Sequence, residues 1–355
     1  MLETDAVITL KAGSYRLREQ IAGSAYGVVW RAENTLVGSE TALKLINREQ
    51  MARAHPQQQE RWVASARMEI AFLRSLEPWD QRHIIRLLDS GDHDGLPVMA
   101  LEMLDMDLGR HVARRRDFGR ICTAQTLDWL GQINQALAKV HQYGWRYLDL
   151  KPANVLLDQR RGSVKLADFG TNRLLGDRDP HCYAGTANWQ APEQFFPAAG
   201  GAYLTDARSD YFALGAMFYY LVTNGLPLRF CAACGQAYRE HQAGAAALLR
   251  ARHDGAIPPT LRVDEAALFA HRIDAGAVVP SSDSTWCPSG LPGTAGKRAL
   301  ALLRSLLSID RDARPPHALA ISRMIADIRS ALRESASVPH MAQLPMPMHT
   351  MWSLA

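Results

Sequence analysis

The stretch "RYLDLKPANVLL", residues 146–157, decides how this chain is read. It sets an aspartate, a lysine and an asparagine (Asp149, Lys151 and Asn154) on one short turn in front of an apolar, strand-forming run. Polar side chains gathered on a turn either decorate a surface loop or converge on chemistry, and the flanking segments decide between the two. Upstream, "TAQTLDWLGQINQALAKVHQYG" carries Leu127, Leu130, Ile133, Leu137 and Val140 on one stripe and stops at Gly144, which predicts a helix leading into the turn. Downstream, "NVLLDQRRGSVKLADFG" predicts a hairpin whose turn is "DQRRG". The turn is thus held between a helix and a hairpin.

Composition bounds the rest. At 355 residues and 47% hydrophobic content, the chain can build two cores, which excludes a disordered tail or a small disulfide-stapled module. Five cysteines is an odd and sparse count, as expected for a reducing compartment. A net charge of +4 gives no mandate for nucleic acid. No stretch approaches the roughly 20 apolar residues of a membrane span, and "MLETDAVITLKAGSYRL" lacks the pattern of a secretory signal. The expectation is a cytoplasmic protein with neither nucleic-acid nor membrane partners.

Residues 15–46 read as strands ("YRLREQIAG", "YGVVWRAEN", "ETALKLIN") in an antiparallel meander. From about residue 56 the period changes, with Val63, Ala66, Ile70 and Leu73 on one helical face. Two more strands follow in "IIRLLDSGD" and "LPVMALEML", and the remainder is helical. Ser209 is a candidate cap for "DYFALGAMFYYLV", which is apolar on nearly every face and so predicts a buried helix. Residues 228–295 read as one or two helices plus a surface excursion, and "VPHMAQLPMPMHTMWSLA" as a loose tail.

Three separated pieces, "TALK" (41–44), "DLKPAN" (149–154) and "DFG" (168–170), together resemble the eukaryotic-like serine/threonine protein kinases. The resemblance implies an α+β, two-lobed fold. It divides the chain into an extension (1–14), a β-rich N-lobe with one main helix (15–104), a mostly helical C-lobe (105–334) with an insertion near 228–295, and a flexible tail (335–355). It also implies ATP and Mg²⁺ as cofactors and a protein substrate with a Ser or Thr acceptor. Phosphoryl transfer asks the protein to neutralise a polyphosphate, hold Mg²⁺ and orient a hydroxyl, and the residue types match those tasks. Lys44 resembles the lysine that grips phosphate, paired with Glu69 of "MEIAFL". Asp149 resembles the catalytic base, Lys151 the cation beside the transferred group, and Asn154 and Asp168 the Mg²⁺ ligands. "GTANWQAPEQF" (185–195) resembles the substrate-seating segment, with Glu193 expected to pair with Arg314, Asp210 to hold the catalytic-loop backbone, and Thr186 to contact Asp149 and Lys151.

Two departures stand out. In the phosphate-covering loop "IAGSAYGVVW", Ala22 and Ser24 stand in the first two glycine places and Gly27 in the third, with Gly23 one position off. Ile21, Ala22, Gly23, Ser24, Gly27 and Val29 are the expected nucleotide contacts there, with Tyr26 as an aromatic flap. Ala42, Met103 and Leu156 complete the adenine sandwich, Leu101 is the gatekeeper, and the hinge begins at Glu102. The second departure is Leu148, which replaces the arginine that receives an activation-loop phosphate in the family. That replacement implies activity that does not require such phosphorylation, with control by a regulatory protein partner or by the helix bearing Glu69. The degenerate glycine loop keeps open a pseudokinase that binds nucleotide and acts as a scaffold.

Other signals stay apart from this pattern. Cys231 and Cys234 in "FCAACGQAY" have zinc-knuckle spacing, with Cys287 a third sulfur and His241 a fourth ligand for a structural Zn²⁺; two thiols near a helix start are the alternative. Arg114, Arg115, Arg116 and Arg120 make either a docking surface for an acidic partner or a solvated face.

Overall fold

In the computed structural model, residues 3–24, 26–115, 119–177, 185–198, 200–275 and 293–337 are described. The first element group is one antiparallel sheet: β1 (Val7–Thr9), β2 (Ser14–Gly23), β3 (Gly27–Asn34), β4 (Glu40–Ile46), β5 (Leu87–His93) and β6 (Leu96–Glu102), ordered β1-β2-β3-β4-β6-β5. Its strands alternate as the sequence does. Leu17, Trp30, Ala32, Leu43, Leu45, Val98 and Ala100 enclose one small core on one face of the sheet. β1, which falls within the stretch set aside as an extension, pairs with β2 from Val7↔Arg16 to Thr9↔Ser14. Between β4 and β5 run α1 (Arg48–Arg53) and α2 (Pro56–Ser75). His55 caps α2 and Pro56 occupies its first turn, where the missing N–H costs nothing. Ile70 and Leu73 of the sequence stripe are buried, together with Phe72 and Glu69.

The second group begins with β7 (Met106–Asp107) and α3 (Leu108–Arg115), then α4 (Thr123–Gln142), which ends where Gly144 takes a positive φ of 83°. β8 (Trp145–Arg146), β9 (Val155–Asp158), β10 (Ser163–Leu166) and β11 (Arg173–Leu174) make two small sheets around the quoted turn, and the β9–β10 hairpin turns where the sequence placed it. After α5 (Pro192–Phe195), α6 (Ala207–Val222) runs through the middle of the large core. Its N-cap is Asp206, three residues earlier than expected; Ser209 instead closes the capping box and donates to Glu193 Oε1 (2.7 Å). A Cβ on Gly215 would stand 2.8 Å from Leu306 Cβ, so glycine lets the next layer of helix lie directly on α6.

Where one or two helices and a surface excursion were expected, α7 (Arg229–His241), α8 (Ala245–Ala251) and α9 (Val263–Ala275) form, and the part from 276 to 292 lies outside the described residues. α10 (Thr294–Leu306) and α11 (Ala318–Ser337) close the lobe. Beside them Arg314, 2% exposed, donates to both oxygens of Glu193 (2.7 and 2.8 Å) and lies over the Phe212 ring. Among the described residues, no helix is long and apolar enough to cross a membrane.

The zinc expectation is corrected here. Cys231 and Cys234 sit on α7 with both sulfurs in the large core, where burial pushes the Cys231 thiol well up and the Cys234 thiol to about 12. A metal takes the thiolate, the form this setting disfavours. His241 is exposed at the far end of the same helix, Cys287 lies outside the described residues, and no cluster of three or more His, Cys, Asp or Glu suited to a metal occurs among the described ones. The C-x-x-C spacing is one helical turn of core packing.

Candidate active site

The sheet supplies one wall of a cleft. Antiparallel pairing sets Val29 opposite Lys44 and Ala42 opposite Leu101, so these four side chains share a face. Ile21, Val29, Ala42, Met103 and Leu156 are each half-buried, an apolar lining that suits a flat ring. Leu156, on β9, pairs with Asp107 and Lys165 and belongs to the opposite wall. Glu102 accepts from Lys165 Nζ (2.5 Å) and from the Arg86 N–H (2.8 Å). Its carboxylate therefore braces the connection, and its own N–H donates to the Arg86 carbonyl (3.0 Å).

Inside the cleft Lys44 Nζ lies 2.9 and 2.7 Å from the two oxygens of Glu69 and 2.8 Å from Asp168 Oδ1. Burial would lower the Lys44 pKa, but Asp168 and Glu69 outweigh it and hold the ammonium on. Burial pushes Glu69 up against the pull of Lys44, whereas Lys44 holds Asp168 below its ordinary value. The Phe169 N–H also donates to Glu69 Oε1 (3.1 Å). Phe169 is buried between Phe72 (ring centroids 4.8 Å apart) and Tyr147 (5.2 Å), and the Tyr147 hydroxyl donates to the Ala167 carbonyl. Ser65, four residues before Glu69 on α2, donates to the Gly170 carbonyl. A single helix face thus grips both the lysine strand and the Asp168 segment.

The quoted turn forms the floor. Thr186 Oγ1 donates to Asp149 Oδ1 (2.7 Å), Lys151 Nζ sits 2.7 Å from Asp149 Oδ2 and donates to Thr186 Oγ1 (2.8 Å). Asn154 Nδ2 donates to Asp149 Oδ2 and to its carbonyl, both at 3.0 Å. Burial pushes the Asp149 carboxyl above its ordinary value, against the pull of Lys151 and Thr186. The backbone beneath is strained: Leu148 has φ of +67°, a region that non-glycine residues rarely occupy. It is held by three bonds. Asp210 accepts from the Leu148 and Tyr147 N–H groups (2.7 and 2.8 Å), and Gln194 Nε2 donates to the Leu148 carbonyl (2.9 Å). Gly185, at φ +100°, passes so close that a Cβ would lie 2.8 Å from that same carbonyl.

Asn154 and Asp168 come together because the Ala167 N–H donates to the Asn154 carbonyl (2.9 Å). Asn154 spends its amide N–H on Asp149, leaving its Oδ1, and the Asp168 side chain is 50% exposed despite its contact with Lys44. Two neighbouring oxygen donors opening on a cleft, with few other protein ligands, fit Mg²⁺ bound largely through phosphate and water.

The phosphate-covering loop is tied down in a manner the sequence did not reveal. Ser24 Oγ accepts from the N–H groups of Tyr26 (3.2 Å) and Gly27 (3.1 Å), and Asn47 Nδ2 donates to the Ser24 carbonyl (2.8 Å). Arg110 of α3 donates to the Ile21 carbonyl (3.3 Å), joining the large lobe to the loop's first strand. A family model for the protein kinase domain matches residues 15–324.

The chain belongs to the protein kinase family.

This kinase is similar to the serine/threonine-protein kinase Pkn1 of Myxococcus xanthus, 28% identical over 231 residues that cover 63% of this chain and 31% of that one. Carbon catabolite-derepressing protein kinases of Candida tropicalis and Saccharomyces cerevisiae are each 27% identical, over 218 and 216 residues, covering 61% of this chain and 32% and 31% of theirs. The chain spans about a third of the length of these relatives. Sequence reasoning missed Ser65, Phe72, Gln194 and Arg110. Ser65 was the most accessible of these, because its spacing from Glu69 puts it on the same helix face.

Proposed function

We propose that this kinase transfers the γ-phosphoryl group of ATP to Ser or Thr hydroxyls of protein substrates. The observation that carries the reading is the Asp149–Lys151–Thr186 triangle at 2.7–2.8 Å, formed on the same floor as Asn154 and facing the Lys44–Glu69 pair. In it Asp149 orients the acceptor hydroxyl and takes its proton, a contribution of about 10²–10⁴-fold. Lys151 stays near charge developing on the moving group, and Lys44 holds the phosphates that remain. Asn154 and Asp168 would hold Mg²⁺, which supplies charge neutralisation across the phosphates. The names of the relatives, all protein kinases and one of them serine/threonine-specific, support the same class of substrate.

Activity independent of activation-loop phosphorylation belongs to this proposal, because Leu148 offers no charge for a phosphate to neutralise. Control then falls to a protein partner or to the placement of α2. One observation favours a second reading, a nucleotide-binding scaffold: Ser24 already occupies two loop N–H groups of the kind that would otherwise face phosphate. Incubating purified protein with labelled ATP and Mg²⁺, alone and with a generic basic protein, separates the two. Transfer that disappears in Asp149→Asn supports the enzyme; nucleotide binding without any transfer supports the scaffold.

A further inference from the structure

The covering loop poses a problem for the proposed reaction, on which this inference rests. With alanine and serine at two glycine places and the Ser24 hydroxyl holding the Tyr26 and Gly27 amides, the loop has fewer free N–H groups to draw it down on phosphate. Another anchor is present. The ring of Tyr26, a residue 65% exposed, meets Trp62 of α2 edge to face, with centroids 5.1 Å apart and planes at 84°. That is the preferred geometry of an aromatic pair.

Trp62, Ser65 and Glu69 are spaced by three and then four residues, so they form one stripe along α2. Together they meet the loop tip, the lysine strand and the Asp168 segment. Trp62 meets the loop tip, Ser65 the Gly170 carbonyl, and Glu69 both Lys44 and the Phe169 N–H. The main chain of Tyr26 is fixed as well, its carbonyl accepting from the Asn47 N–H (3.1 Å) while Asn47 caps α1. The tip is therefore bound to the helical layer through both backbone and ring.

We propose that Trp62 is a positioning residue: through Tyr26 it couples closure of the phosphate-covering loop to the seating of the Lys44–Glu69 pair, so that loop and helix move as one element. Nucleotide bound under the loop then favours the seated helix, and a displaced helix releases the loop. The differential contact that links the two is the ring pair.

The test uses the full chain and reads nucleotide affinity by calorimetry with Mg²⁺-ADP, alongside KM for ATP and kcat on a protein substrate. Trp62→Ala and Tyr26→Leu are each expected to weaken nucleotide binding and raise KM about three- to tenfold, the range open to one such pair. The double variant is expected to be no worse than either single one, while Trp62→Phe and Tyr26→Phe, which keep a ring, stay within twofold of wild type. Combining Tyr26→Leu with Glu69→Gln is expected to cost less than the product of the two separate effects. Additive losses, or unchanged nucleotide affinity in both Trp62→Ala and Tyr26→Leu, overturn the coupling. Wild-type transfer with unaltered variants rejects the coupling and leaves the transferase reading standing. Nucleotide binding without transfer rejects that reading, and the affinity arm still decides the coupling. Absence of nucleotide binding in the wild type rejects both.

Discussion

Arg146 and Arg173 lie directly opposite each other in the pairing of β8 with β11, and both reach Asp177: Arg146 donates to its carbonyl (3.0 Å) and Arg173 to its carboxylate (2.5 Å). Arg146 is 2% exposed, and burial together with the facing Arg173 lowers its pKa. Two cations at the root of the activation segment are thus gathered by a residue of that segment, without phosphate. Phosphatase-treated enzyme, shown bare over residues 168–193 by mass spectrometry, is expected to keep its initial rate within tenfold. A larger drop, more than about 1.4 kcal/mol in the barrier, that recovers only when Thr171 or Tyr183 is rephosphorylated would overturn the reading of Leu148.

Replacing Asp149 by Asn keeps the shape of the floor but removes the proposed base. Expected is a fall in kcat of about 10²–10⁴-fold with ATP affinity within a few-fold of wild type. Asp168→Asn has the opposite signature, weakening Mg²⁺-nucleotide binding, which calorimetry at varied Mg²⁺ distinguishes.

The acid limb of the rate profile follows from the raised Asp149 carboxyl. A carboxyl whose pKa is raised on folding keeps its proton to a higher pH, so the basic form is lost as pH falls through a value above the ordinary carboxylate figure of about 3.9. Asp168 shifts the other way and stays ionised below that figure. Activity is expected to fail on the acid side while nucleotide binding persists. If rate and affinity decline together, the limb does not belong to Asp149.

Core placement of the two α7 thiols gives a test against metal. Cys234→Ser puts a hydroxyl into an apolar setting and is expected to cost about 1–3 kcal/mol of stability. Chelator treatment is expected to leave the wild-type Tm unmoved. A chelator-induced drop matching near-stoichiometric zinc would restore a metal role for this segment.

Much of the site was legible because its chemistry is encoded locally. Asp149, Lys151 and Asn154 share one turn, and the periodic stripe of α4 that delivers them survives folding intact. Long-range partners were legible only through the resemblance, as with Lys44 and Glu69 or Glu193 and Arg314. No local signal pairs residues so far apart. Cys231 and Cys234 misled because a spacing of three serves a metal knuckle and a buried helical turn equally well. Ser209 misled because the capping box involves two residues, and Asp206, an equally good cap three positions earlier, takes the N-cap place and leaves Ser209 at N3. The loop chemistry of Ser24 was hidden for a different reason: a hydroxyl that replaces a glycine can remove phosphate-facing amides from use, which no glycine count expresses.

The Arg314–Glu193 pair spans 121 residues, and that span orders events during synthesis. Glu193 emerges from the ribosome long before its partner, so the segment that bears it has no cation to close on until the chain has reached position 314. Until then Glu193 stays hydrated. A chain cut short of Arg314 should retain helices but lack a closed large lobe, and the floor around Thr186 is completed only once position 314 has been made.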